Sequence, residues 1–108
     1  MADGPVSDPI RSAFADDPDM LDLVELYVAE MPERLKMLEA LWHSGDGEGL
    51  QRVAHQLKGA SAGYGYGEVT DAARDLEMAL VGSDVCEALE AVKREFDALV
   101  DVCSRVSM

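Results

Sequence analysis

Basic residues are scarce in this sequence: nine lysines and arginines stand against 22 aspartates and glutamates, a net charge of −13. Because a chain this acidic repels the phosphates of nucleic acids and of anionic lipids, neither is expected as a partner. Long hydrophobic runs are also missing, since none approaches the ~18–20 apolar residues that span a bilayer. The segment Met1–Pro5 lacks the basic start and apolar core of a signal peptide, and a cytoplasmic protein is expected.

Cysteine is nearly absent as well. Cys86 and Cys103 are too few for a disulfide framework and are spaced unlike a metal motif, so no metal centre is expected. Reduced thiols that pack as small apolar side chains are the simplest interpretation. Strand signals and internal repeats are lacking too. The 108 residues provide one domain with a single core, and a hydrophobic content of 48% is sufficient to fold it.

What the sequence does contain is helical periodicity. Apolar residues recur at steps of three and four in four ranges: 24–42, 50–64, 69–80 and 85–106. The first helix is predicted to begin at Asp17-Pro18, to run for about 24 residues and to bend at Pro32, which lacks a backbone donor. Short connections force neighbouring helices to be antiparallel. The fold class predicted is all-α, an antiparallel up-down four-helix bundle with a short N-terminal extension or helix.

The domain boundary is placed at residue 17. Residues 1–17 are interpreted as a mobile N-terminal lead-in, with at most one short helical turn that Asp8 caps and Pro9 opens. Residues 18–108 form the bundle, and its fourth helix is predicted to begin with Asp84 as N-cap and to run to the end of the chain.

Three alternating glycines, at positions 63, 65 and 67, follow the second helix. They are interpreted as a helix stop that turns Tyr64 and Tyr66 back into the core. A phosphate-binding loop is disfavoured because such a loop follows a strand and ends in Lys-Ser or Lys-Thr.

The second helix carries the residues that point to a function. At ~100° of rotation per residue, His55, Gly59 and Ala62 fall opposite the apolar face, with Gln51 and Lys58 on its flank. His55 is therefore predicted to face solvent beside a lysine. A glycine inside a helix costs roughly 0.5–1 kcal/mol relative to alanine, so Gly59 indicates that another molecule approaches the backbone there.

The stretch His55-Gln56-Leu57-Lys58-Gly59, with Gly65 further on, resembles the signature of histidine-containing phosphotransfer (Hpt) domains. That family shows His-x-x-Lys-Gly, then small residues and a glycine at the same later spacing. The segment Gly45–Leu50 resembles its acidic turn before the histidine helix, and Leu26–Leu35 resembles its first long helix with an internal proline. The resemblance covers about residues 9–106. The two tyrosines between the late glycines depart from the family's usual aliphatic or smaller residues.

The resemblance implies a module of two-component phosphorelays. His55 would accept a phosphoryl group from the phosphoaspartate of a response-regulator receiver domain and pass it to another receiver aspartate. Neutral imidazole is a competent nucleophile near pH 7, and Nε2, the nitrogen farther from the backbone, is the expected attacking atom. Lys58 would stabilise the charge on the phosphoryl oxygens. Gly59 and Ala62 would admit the partner, and Gln51 would donate a hydrogen bond at the rim.

Glu77 and His43 are the remaining candidates. The separation of Glu77 from His55 resembles that of a glutamate near the phosphorylated histidine in the related domain of chemotaxis kinases. There it would fix the imidazole tautomer, while the sequence equally allows an ordinary solvated glutamate. His43 has neither the lysine nor the glycine after it, and its interaction with the dipole at the end of the first helix explains it.

The expected partners are receiver domains, a hybrid histidine kinase or both, and the module itself is expected to be a monomer. The contact should be transient, burying ~1,200 Å² or less in total. No cofactor is expected, and Mg²⁺ would belong to the partner receiver domain. The chain is interpreted as a carrier and not an enzyme, since no ATP-binding segment or Ser-His-Asp set can be placed.

A second function remains in view: a bundle that is not phosphorylated and that binds a receiver or kinase to inhibit or scaffold it. The intact set of His55, Lys58 and Gly59 weighs against this alternative. A metal or haem site inside the bundle is weaker still, because His55 points outward.

Overall fold

The computed structural model describes residues 9–81 and 89–107. In these ranges lie four helices, α1 (Leu21–Ser44), α2 (Gly47–Gly63), α3 (Gly67–Val81) and α4 (Lys93–Ser104), and a 3₁₀ turn, Leu89–Val92, leads into α4. Two short strands, β1 (Ile10–Arg11) and β2 (Val106–Ser107), pair in parallel. The predicted all-α bundle is confirmed. Within the described ranges, no helix has the length and apolarity to cross a membrane.

The connection between α1 and α2 is a tight turn built by Gly45 and Asp46. Gly45 adopts a left-handed conformation, φ +74°, which ends α1. The Asp46 carboxylate then accepts a hydrogen bond from the Gly49 amide at 2.8 Å and caps α2. So short a turn places α2 antiparallel against α1.

The core follows the predicted periodicity closely. All four positions predicted to face inward on α3, namely Val69, Ala73, Leu76 and Leu80, are buried. Between α1 and α4, the rings of Trp42 and Phe96 stack with their centroids 4.3 Å apart. Cys103 is buried as a reduced thiol, and burial raises its pKa to about 12. The other cysteine, Cys86, lies outside the described residues.

Helices α1 and α2 are joined by a buried hydrogen bond that periodicity did not predict. The hydroxyl groups of Tyr27 and Ser61 lie 2.6 Å apart, and burial raises the pKa of Tyr27 to about 12. The Tyr27 ring also stacks on Tyr66, at 4.7 Å between centroids. Tyr66 is buried and Tyr64 is half-buried against the core, as the helix-stop interpretation of the glycines predicts.

Helix α1 passes through Pro32 as one continuous helix, but it begins later than predicted. The Asp17 carboxylate accepts a hydrogen bond from the Asp19 amide at 2.9 Å, and the Asp17 carbonyl accepts one from Met20 at 2.9 Å. Because the Asp17 side chain closes a local turn and does not cap the helix, the chain turns once before α1 starts at Leu21.

Near each end of the described ranges, a short strand stands where a helical turn was predicted. Pro9 does not open a helical turn, since Ile10–Arg11 is strand β1, while its proposed cap Asp8 lies outside the described residues. Helix α4 ends at Ser104, and Val106–Ser107 pairs with β1. The two segments satisfy each other's backbone groups across the molecule, a pairing that local periodicity cannot reveal. The Asp84 cap also falls outside the described residues.

The N-terminal segment packs on the loop between α2 and α3. The Ser12 hydroxyl donates to the Tyr64 carbonyl, and the Ala13 amide donates to the Gly65 carbonyl at 2.8 Å. Tyr66 donates its hydroxyl to the Ser107 carbonyl at 2.8 Å. Ser12, Ala13 and Ser107 therefore all bond to the segment that follows the histidine helix.

Gly65→Ala should destabilise the fold. Gly65 has φ +82°, and an added Cβ would lie 2.9 Å from the Ala13 amide nitrogen and 2.7 Å from the Ser12 hydroxyl. We expect a loss of about 2 kcal/mol in the free energy of unfolding, measured by urea denaturation. The control is Gly63→Ala, where an added Cβ meets nothing within 4 Å. Equal stability of the two variants would contradict this account of the loop.

Candidate functional site

Helix α2 divides into a buried face and an exposed one. Its buried residues include Leu50, Ala54, Leu57 and Ser61, which form the face predicted to be apolar. The side chain of His55 is 66% exposed, and Gly59 and Ala62 are exposed on the same outer face. Gln51 and Lys58 are half-buried at its flank. The core thus holds the helix while the histidine faces solvent.

Glu77 of α3 joins the histidine and the lysine. Its Oε2 lies 2.7 Å from His55 Nδ1, and its Oε1 lies 2.8 Å from Lys58 Nζ. Only 17% of the Glu77 side chain is exposed. One carboxylate therefore uses both of its oxygens to connect α3 to two side chains of α2. Of the two interpretations of Glu77 left open by the sequence, the solvated helix glutamate does not describe this arrangement.

The carboxylate stays ionised in this setting. The hydrogen bond from Lys58 and, to a smaller extent, that from His55 hold the pKa of Glu77 below its usual value, although partial burial acts in the opposite direction. Because this pKa is lower in the folded state than in the unfolded chain, the contribution to stability is present at neutral pH. It is lost on acidification through the folded-state pKa.

An ionised carboxylate determines the tautomer of His55. It can only accept hydrogen bonds, so Nδ1 must carry the proton that it donates to Glu77. The neutral ring then keeps its lone pair on Nε2. Nε2 has no hydrogen-bond partner among the described residues. In its neutral form, His55 therefore presents an exposed Nε2 lone pair to solvent.

A depression of about 460 Å³ lies beside the histidine. It is lined by Glu48, Gln51, Arg52, His55, Gln56 and Glu77. Gln51 thus borders the histidine, as predicted. Sequence reasoning missed Arg52, which stands three positions before His55. The available signal was that helical side chains lean toward the N-terminus of their helix, over the preceding turn.

Gly59 is not required by the packing of this chain. An added Cβ there would meet no atom within 4 Å, and the position is exposed inside a helix. The cost of a glycine in a helix interior is therefore not offset by any contact within the described structure. The close approach of another molecule at Gly59 stays a prediction from the sequence. His43 lies in the last turn of α1 and does not line the depression.

The arrangement is suited to nucleophilic chemistry at Nε2. Throughout ranges 9–81 and 89–107, no three histidine, cysteine or acidic side chains converge as a metal centre would require. An oriented imidazole with an adjacent ammonium can accept an anionic group on its free nitrogen.

Comparison with protein families gives a match to the Hpt domain over residues 22–106. Comparisons with curated proteins and with solved structures returned no match. Hpt domains transfer phosphoryl groups through a histidine in phosphorelays, interact with receiver domains and kinases, and are carriers and not kinases. The match covers α1 to α4 and includes the histidine helix. On this evidence, the chain belongs to the Hpt domain family.

Proposed function

We propose that this chain is a phosphorelay intermediate that carries the phosphoryl group on His55. The group arrives from the phosphoaspartate of a receiver domain and leaves to the aspartate of another. The observation that supports this most is the hydrogen bond from His55 Nδ1 to Glu77, which leaves an exposed Nε2 with its lone pair free. Membership of the Hpt family supplies the class of reaction.

The transfer is an in-line displacement at phosphorus. The Nε2 lone pair forms the new P–N bond, and the P–O bond to the aspartate breaks with its electron pair, releasing a carboxylate. Nδ1 keeps its proton throughout the transfer and remains hydrogen-bonded through it to Glu77. The ring becomes positively charged as the bond forms, and the Glu77 carboxylate stabilises that charge. Onward transfer is the reverse step, with a receiver carboxylate as nucleophile.

The residues around His55 have separate roles in this proposal. Glu77 is a positioning residue, because it acts through the imidazole and does not touch phosphorus. Lys58 places an ammonium beside the same ring and stabilises the phosphoryl oxygens during transfer. Gln51 donates a hydrogen bond at the rim of the depression. Gly59 and Ala62 have no bulky side chains, so the receiver can approach the outer face of α2 and bring its aspartate to Nε2.

The charge of the chain indicates which receiver domains would bind it. With a net charge of −13, the protein favours receiver domains whose rim is basic. The contact is transient, because a relay must release each receiver. In this proposal Mg²⁺ acts in the receiver and this chain contributes no ligand to it. A bundle that only scaffolds a partner needs no oriented imidazole, and the Glu77 bridge therefore favours the carrier.

Substitution of the two histidines tests the carrier directly. A receiver domain charged with acetyl phosphate should label the wild type and His43→Gln to the same extent, and His55→Gln should take no label. The measurement is transfer of radiolabelled phosphate followed over time. Label retained on His55→Gln would overturn the proposal, and His43→Gln controls for the loss of a histidine elsewhere.

Glu77→Gln should disturb the tautomer of His55. A carboxamide offers both a donor and an acceptor, so both tautomers of the ring become accessible. We expect mixed tautomers in ¹⁵N NMR of the ring nitrogens and a transfer rate that falls roughly tenfold. Asp75→Asn, an exposed acid on the same helix, is the control. An unchanged tautomer ratio and rate in Glu77→Gln would remove the positioning role.

Lys58→Ala should slow transfer and leave the fold intact. Loss of one positive charge beside the phosphoryl group should lower the rate of phosphotransfer roughly tenfold or more, as measured in samples quenched at successive times. The control is Lys36→Ala, since Lys36 forms only an exposed pair with Glu33 on α1. Equal rates in the two variants would exclude Lys58 from the mechanism.

A further inference from the structure

Cations of this acidic protein are mostly engaged in ion pairs. Six of its nine lysines and arginines have an acidic partner on the protein. Within the described ranges, which contain all nine, the three without an ion pair are Arg11, Arg52 and Arg94. Arg52 alone among these three lines the depression beside His55. An unpaired cation in an acidic chain thus stands next to the nucleophile.

Helix geometry places the two side chains together. Arg52 precedes His55 by three positions on α2, so they are neighbours on one face. Arg52 and His55 also line the same depression, and Lys58 is not among the residues that line it. Glu48, the acid one turn earlier in the same depression, forms no ion pair with Arg52 in the described structure. The guanidinium remains available to a ligand.

Lys58 is less available than its place in the motif suggests. Its ammonium already bonds Glu77 at 2.8 Å, and the same carboxylate holds the histidine. A phosphoryl group brings further negative charge to a protein of net charge −13. To turn fully toward that group, Lys58 would have to leave Glu77, whereas Arg52 has no ion pair with any described residue that it would have to break.

We propose that Arg52 is a catalytic residue whose guanidinium binds the phosphoryl oxygens at His55 Nε2 during transfer and in the phosphorylated protein. This inference rests on the proposed function and adds a residue to it. The guanidinium is planar and always charged, and its parallel N–H groups match two phosphoryl oxygens. No proton moves at Arg52; the P–N bond forms at Nε2, the P–O bond to the donor breaks, and the charge left on the oxygens is shared with Arg52.

Two phosphoryl donors separate binding of the phosphoryl group from docking of the receiver. The full-length wild type, Arg52→Gln, Arg52→Lys and Arg94→Gln are each phosphorylated by a charged receiver domain and, in a second series, by phosphoramidate alone. Arg94 is the matched control, because it is an exposed arginine without an ion pair, on α4 and outside the depression. In the phosphorylated proteins, ³¹P NMR follows the titration of the phosphohistidine.

The rate of phosphorylation of Arg52→Gln should be roughly tenfold below that of the wild type with both donors. Arg52→Lys should recover part of that rate, and Arg94→Gln should be phosphorylated as fast as the wild type. The midpoint of the ³¹P titration should rise in Arg52→Gln, because a nearby cation favours the more highly charged phosphoryl form.

Unchanged rates and an unchanged titration in Arg52→Gln would overturn the inference. Slower transfer from the receiver alone, with phosphoramidate and ³¹P results like the wild type, would also overturn it, since Arg52 would then contact the partner and not the phosphoryl group. A wild type that takes label from neither donor, or on a residue other than His55, would overturn the proposed function as well.

Discussion

The site depends on one carboxylate with two hydrogen bonds. Glu77 on α3 holds Nδ1 of His55 and the ammonium of Lys58, both on α2, at 2.7 and 2.8 Å. A single group thereby sets which nitrogen of the ring carries the proton, keeps a positive charge beside it and fastens the two helices together. The lysine holds the pKa of Glu77 low, so the carboxylate remains an acceptor across the neutral pH range.

The Glu77 carboxylate can hold His55 and Lys58 only because α2 and α3 are fixed relative to each other. The buried hydroxyl pair of Tyr27 and Ser61 holds α1 against the buried face of α2. Residues 10–14 and the C-terminal strand then close over the loop after α2. Precise group transfer requires a rigidly held nucleophile and an accessible surface, so this packing supports the proposed role of His55.

The lysines and arginines of the protein differ in the acids with which they pair. Five of its nine cations are paired with an acid three or four residues away along the chain, a pattern that contributes little to stability at the surface. Lys58 differs because its partner comes from a neighbouring helix and is largely buried, and Arg52 differs because the described structure gives it no ion pair. These two are the cations closest to His55 in sequence, and in the proposed mechanism they share the charge of the phosphoryl group.

Much of this could be predicted from sequence. A step of three and four residues fixes which face of a helix is apolar, so the buried residues of α3, the exposure of His55 and the four-helix order followed from the chain alone. Local pattern failed where bonds join distant residues: strand β1 pairs with β2, Asp17 closes a turn, and Tyr27 meets Ser61. The sequence made Glu77 a candidate, but only the packing of α3 on α2 brought its two oxygens within hydrogen-bond distance of His55 and Lys58. Periodicity determines the direction of a side chain around its own helix, and the distance between two helices is decided by the packing of the whole core.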